Sequence, residues 1–183
     1  YEEVLDAFHA GFSHVTHLYS AMSSVTRRNA FRYAGVLEAA YLIEDMTVEI
    51  IADGVHLPKP LLQFVYRFKG PERTALCTDS MRGAGMPDGE SILGSLEKGQ
   101  RVIIEDGVAK LPDRTAFAGS VATTDRLVRT MVEVAEVPLV DAVRIMTLTP
   151  ARIMHVDHRK GSIEKGKDAD LVIFDDNIDV SHT

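Results

Sequence analysis

A chain of 183 residues, 45% of them hydrophobic, is long enough to close an ordinary domain around its own core. Its formal charge of −7 argues against a nucleic-acid partner, because phosphate backbones are gripped by clustered cations and the densest group here is only Arg27, Arg28 and Arg32. The single cysteine, Cys77, excludes an intrachain disulfide framework and a Cys-rich zinc site, and no apolar stretch approaches the about 20 residues of a membrane span.

The start, Tyr1-Glu2-Glu3-Val4-Leu5, has neither a basic n-region nor an initiator Met. No signal peptide is read there, a cytoplasmic protein is expected, and Tyr1 is not expected to be the native start. Phe12 to Leu18 reads as a strand ending at His17, followed by a helix over Ala34 to Ile43. A second strand begins at Thr47 and ends around Asp53 to His56. The next helix, Pro60 to Phe68, carries Leu61, Leu62, Val65 and Phe68 on one face and stops at Gly70-Pro71. Thr74 to Asp79 is a third strand. Arg82 to Gly89 is an irregular loop suited to an active-site flap, and Arg101 to Leu111 reads as a hairpin turning at Asp106-Gly107. Phe117 to Ser120 leads into a helix over Val121 to Ala135, another helix runs from near Pro138 through Met146, and Ala169 to Phe174 is the last strand.

Strands alternating with helices imply an α/β fold with parallel strands and right-handed crossovers. In such folds chemistry gathers at the C-terminal ends of strands, where His17, His56 and Asp79 fall in successive units. His17 could be a satisfied core histidine, but Thr16 and Tyr19 to Met22 surround it with hydroxyls and free backbone groups. Asp79 follows an apolar strand, where a carboxylate is costly unless it is paired or coordinated. Arg28 and Arg32 read equally as solvated cations or as an anion contact. Gly119-Ser120 reads as a helix N-cap or as a ring of backbone amides open to a ligand. His14 and His17 would lie on opposite strand faces, and the same argument dismisses an Asp53/His56 pair if the strand continues that far. His9, His158 and His182 read as surface residues, and His155 with His158 as cations near a helix C-terminus. No G-x-S-x-G elbow, P-loop or G-x-G-x-x-G fingerprint is present.

Five blocks, Thr16 to Met22, Ala52 to His56, Thr78-Asp79, Phe117 to Ser120 and Thr149 to Arg152, together resemble the N-acetylglucosamine-6-phosphate deacetylase family of the amidohydrolase superfamily. The closing Gly161 to Phe174 looks like the return strand common in amidohydrolases. The resemblance covers nearly the whole chain. It implies the C-terminal part of a (β/α)8 TIM-like barrel, its last three strands, over residues 1–155 with a hairpin insertion at about 99–111. Residues 160–183 would belong to a small β-sandwich.

Carried over by position, His17 would be a metal ligand and Asp79 the catalytic acid/base. Ser20 and Ala21 would contact substrate by backbone, Arg28 (or its neighbour Arg27) the phosphate, and His56 the substrate. Phe117, Ala118 and Gly119 would line the sugar site. Ser20 departs from the Asn common in the family, which removes a side-chain contact and leaves a main-chain one. The resemblance implies a divalent metal, zinc or iron, whose remaining ligands lie upstream, so this chain alone is expected to be inactive and to bind metal weakly. It also implies a small-molecule amino-sugar phosphate as substrate and a homodimer in the full-length protein. A deacetylase for the galactosamine epimer, another amidohydrolase acting on a cyclic amide, and a non-catalytic fragment stay open.

Overall fold

The computed structural model describes all residues, 1–183. In chain order the elements are α1 (Glu2–His9), β1 (His14–Val15), β2 (Thr26–Arg28), β3 (Phe31–Tyr33), α2 (Val36–Leu42), β4 (Thr47–Ile50), α3 (Lys59–Lys69) and β5 (Thr74–Leu76). There follow β6 (Gly89–Leu93), β7 (Gln100–Glu105), β8 (Val108–Lys110), β9 (Phe117–Ser120), α4 (Thr124–Glu133), α5 (Leu139–Met146), α6 (Leu148–Ile153), β10 (Ile173–Phe174) and β11 (Val180–His182). The chain divides into two compact units, one of residues 1–50, 64–76 and 143–169, the other of residues 51–63, 77–142 and 170–183.

The first unit is built on a parallel sheet in the order β1-β4-β5. Val48 and Ile50 are buried while Thr47 and Glu49 are half-buried, the period-two pattern of a strand covered more completely on one face. The register pairs His14 with Thr47 and Val48 with Thr74. Ala39, Ile43 and Met46 form a core cluster completed by Tyr1, Val4, Leu5, Phe8 and Val15, so α1 and α2 bury their apolar stripes against each other. Glu38 secures the start of α2 by accepting the Gly35 N–H at 2.6 Å and the Ser24 hydroxyl at 2.7 Å. After α2, Lys69 from the end of α3 donates to the carbonyls of Ile43 (3.2 Å) and Glu44 (3.4 Å). Burial, assisted by the nearby Arg73, pushes the Lys69 ammonium down to about 8.

The second unit centres on an antiparallel sheet in the order β6-β7-β8-β9. Met81, Val102, Ile104, Ala109 and Ala118 form its buried cluster, flanked by Leu93, Leu111 and Val121. The β7–β8 turn is Asp106-Gly107, both residues left-handed (φ 55° and 72°), as a two-residue primed turn requires. The expected hairpin is therefore the middle of a four-stranded sheet. On α4, Arg129 donates to the carbonyls of Asn177 (2.8 Å) and Ile178 (3.0 Å) and pairs with Asp179 at 2.7 Å, which ties the β10–β11 turn to that helix.

Several boundaries differ from expectation: β4 and β5 end early, at Ile50 rather than around Asp53 to His56 and at Leu76 rather than Asp79. The strand expected over Phe12 to Leu18 contracts to His14–Val15, because the backbone turns left-handed at His17 (φ 33°) and leaves the ladder. Phe117–Ser120 is a strand, and α4 begins only at Thr124, so Ser120 is not a helix cap; its hydroxyl instead accepts the Ala122 N–H at 2.9 Å. Of Ala169 to Phe174 only Ile173–Phe174 is strand, paired antiparallel with β11. No helix is long and apolar enough to cross a membrane.

Candidate active site

The turn after β1 carries one group of candidate residues in the first unit. The Thr16 hydroxyl donates to the Glu49 carboxylate and the Leu18 N–H to the Glu49 carbonyl at 2.8 Å, which locks the end of β1 to β4 on either side of His17. His17, Tyr19 and Ala21 are left-handed, with φ of 33°, 81° and 54°. Each such non-glycine residue costs on the order of 1–3 kcal/mol, strain that persists only where the surroundings enforce it. Here Leu18 is buried, the Ser20 N–H donates to the His17 carbonyl at 2.9 Å, and the Tyr19 and Tyr41 hydroxyls meet at 2.9 Å. Burial raises both phenols above their ordinary range.

His17 Nδ1 is buried and has no hydrogen-bond partner. His14, by contrast, is occupied: its Nδ1 meets the Thr47 hydroxyl at 2.9 Å and its Nε2 lies 3.5 Å from Glu49. Arg28 sits on β2 opposite Phe31, exposed, its guanidinium 5.4 Å from the centre of the Tyr33 ring. Arg27 is equally exposed, opposite Arg32.

The remaining candidates lie in the second unit. Because β4 ends at Ile50, the chain is free to fold back over Asp53, and the pair dismissed on strand geometry forms. Asp53 is 1% exposed. Its Oδ1 accepts the N–H groups of Val55 (2.9 Å) and His56 (2.8 Å), and its Oδ2 meets His56 Nδ1 at 2.7 Å. Burial alone would raise the Asp53 carboxyl, but the bonds from His56 and Val55 outweigh it and hold the group below the usual carboxylate range. Phe117 packs against the imidazole, ring centres 4.8 Å apart and planes tilted by 52°. Asp53 is the residue that sequence reasoning missed. Its signal was the Asp-Gly step, an Asx turn in which the side chain takes N–H groups two and three residues on.

Asp79 follows β5 by three residues and is left-handed (φ 45°). Its carboxylate is exposed and carries no ion pair, so the crowded apolar surroundings expected from the preceding strand do not reach it. Its backbone is held instead: the Asp79 carbonyl accepts the Ser120 N–H at 3.0 Å, and the Ser80 hydroxyl donates to the Ala122 carbonyl at 2.5 Å. Gly119 (φ 88°) lies against that carbonyl, where an added Cβ would come within 3.3 Å of it. Ala118 is buried in the sheet's core and can offer only backbone to a ligand, while Phe117 is largely exposed.

The orphaned His17 nitrogen fits a single metal-donor position. No group of three or more His, Cys, Asp or Glu residues that could hold a metal exists in the chain, so His17 does not by itself make a metal centre.

The amidohydrolase family profile matches residues 1–182. The chain belongs to the amidohydrolase family. Among curated members it is 37% identical over 175 residues to an N-acetylglucosamine-6-phosphate deacetylase of Bacillus subtilis, covering 96% of this chain and 42% of that protein. It is 34% identical over 164 residues to a putative N-acetylgalactosamine-6-phosphate deacetylase of Escherichia coli, covering 90% of this chain and 92% of that one. A crystal structure of N-acetyl-D-glucosamine-6-phosphate deacetylase from Mycobacterium smegmatis superposes with a TM-score of 0.86 at 32% identity, over 98% of this chain and 46% of that one. The corresponding enzyme of Pasteurella multocida gives 0.85 at 29%. The chain thus spans less than half the length of most of the amidohydrolases it matches.

Proposed function

We propose that this amidohydrolase hydrolyses the acetamide of N-acetylglucosamine 6-phosphate, giving acetate and glucosamine 6-phosphate for amino-sugar catabolism. The observation that carries the reading is the order of the candidate groups along the chain. His17 follows β1, the Asp53–His56 pair follows β4 and Asp79 follows β5, each just beyond a strand's C-terminal end, where α/β enzymes build their sites. The named relatives support the substrate class, and both amino-sugar epimers occur among them. The three parallel strands are then the last strands of a (β/α)8 barrel, with residues 160–183 contributing to a small β-sandwich.

When bound, a divalent metal such as zinc or iron, held by His17 together with ligands from outside these residues, supplies a nucleophilic water of lowered pKa. Asp79 accepts the attacking water's proton and returns it to the departing nitrogen, the harder transfer because an amide nitrogen leaves poorly without one. The backbone of Ser20 and Ala21 and the exposed Arg28 contact the sugar phosphate, Arg28 at the phosphate. His56 and Phe117, with the backbone of Ala118 and Gly119, contact the sugar. The 183-residue chain alone, with one donor, turns over no substrate and holds metal weakly.

The test is Asp79→Asn in the full-length protein, assayed by acetate release. On the order of a 10²–10⁴-fold loss in kcat with intact substrate binding is expected, and wild-type turnover in the variant would sink the assignment.

A further inference from the structure

We infer that Asp53 is a positioning residue that fixes the ring tautomer of His56, so that Nε2 is the nitrogen this protein presents to an amino-sugar phosphate. The inference rests on the reading that His56 meets substrate. Asp53 itself cannot meet it: its side chain is 0% exposed, against 8% for the imidazole.

All three donors to the Asp53 carboxylate come from Val55 and His56. An ionised carboxylate has no hydrogen to give, so across the 2.7 Å contact the hydrogen must sit on His56 Nδ1. In the neutral ring this leaves Nε2 as a bare acceptor, suited to a sugar hydroxyl. Nε2 has no hydrogen-bond partner in the structure, while the Phe117 ring, centred 4.8 Å away and tilted by 52°, packs against the imidazole and opposes rotation that would exchange the two nitrogens. A buried acid that orients an imidazole through one nitrogen while the other faces the reaction is a recurrent arrangement in catalysis.

The competing account is that Asp53 only caps the loop through the N–H groups of Val55 and His56. Asp53→Asn separates the two. The amide oxygen of the new side chain can keep both backbone bonds, whereas its NH₂ now faces His56 Nδ1 as a donor. The ring hydrogen is then driven to Nε2, and the group presented to substrate changes from acceptor to donor while the loop stays intact.

The experiment uses the full-length protein with ¹⁵N-labelled histidine, read by long-range ¹H–¹⁵N correlation at a pH where the ring is neutral. His56 is expected as the Nδ1–H form in wild type and the Nε2–H form in Asp53→Asn. The kinetic arm measures kcat/KM for N-acetylglucosamine 6-phosphate in Asp53→Asn, His56→Ala and the double variant. About tenfold or greater loss is expected for each single variant, with no further loss on combining them, since Asp53 acts through His56. An Nε2–H ring in wild type, an unchanged tautomer in Asp53→Asn, or additive losses would each overturn the inference. A wild type that deacetylates no amino-sugar phosphate would instead remove the functional reading, and the ring spectrum would still decide what Asp53 does to His56.

Discussion

Replacing Gly119 by Ala perturbs the backbone that holds Asp79. At φ 88° an L side chain is strained by about 1–2 kcal/mol. Its Cβ would stand 3.3 Å from the Asp79 carbonyl, the same oxygen that accepts the Ser120 N–H at 3.0 Å. If the carbonyl yields, that hydrogen bond weakens, adding about 1 kcal/mol. The sum, about 2–3 kcal/mol, corresponds in a chain of this size to a drop in Tm on the order of 5–10 °C. The Asp79 carbonyl need yield by only a few tenths of an ångström, which carries the carboxylate with it, so kcat should fall by less than the roughly 10²-fold that a displacement of about 1 Å costs. Calorimetry on the 183-residue chain reads the first effect, and acetate-release kinetics on the full-length protein read the second. A Gly119→Ala variant with wild-type Tm and wild-type kcat would refute both the left-handed conformation at 119 and its contact with Asp79.

Lys69 makes stability depend on alkaline pH. Its folded-state pKa of about 8 lies below the ordinary 10.5, so the unfolded chain binds more protons between those values and stability rises with pH across that window, by at most about 1.4 kcal/mol per pH unit. Lys69→Met should remove this dependence in urea denaturation, and a difference from wild type that stays constant with pH would refute it. Tyr41→Phe strips the Tyr19 hydroxyl of its partner at 2.9 Å and should cost about 1 kcal/mol. It should also delete one late-ionising phenol from the ultraviolet titration of the five tyrosines, and a titration curve in which every tyrosine ionises in the ordinary range would contradict that assignment.

The parallel sheet was legible because its signals are local. Val48 and Ile50 alternate with polar neighbours, Leu61, Leu62, Val65 and Phe68 repeat at helical spacing, and Asp106-Gly107 announces its turn. What escaped was conformation that side-chain type does not encode. Nothing in Thr16-His17-Leu18 advertises a left-handed histidine, so β1 was read too long. The β2–β3 hairpin turns at Asn29-Ala30, both left-handed (φ 49° and 69°), and an alanine there gives no turn signal. Gly89–Leu93 and Phe117–Ser120 carry too few β-branched or aromatic residues to read as strands; they are strands because β7 and β8 offer them edges to pair with. In the candidate site, positions just past strand ends flagged His17, His56 and Asp79. Asp53 was lost to a strand extended past Ile50 to around Asp53 to His56, and Ser120 was misread because a Gly-Ser step before a helix looks like a cap.

The bonds that hold His56 span only the distance from residue 53 to residue 56. Positional error in a folded chain accumulates along the path that connects two groups, and here that path is three peptide units long rather than a circuit through helices and neighbouring strands. The imidazole therefore keeps its aim while the surrounding scaffold breathes or drifts over evolutionary time. Asp79 has no such insulation: its backbone leans on β9, forty residues away in sequence, so changes in the β6–β9 sheet reach it directly.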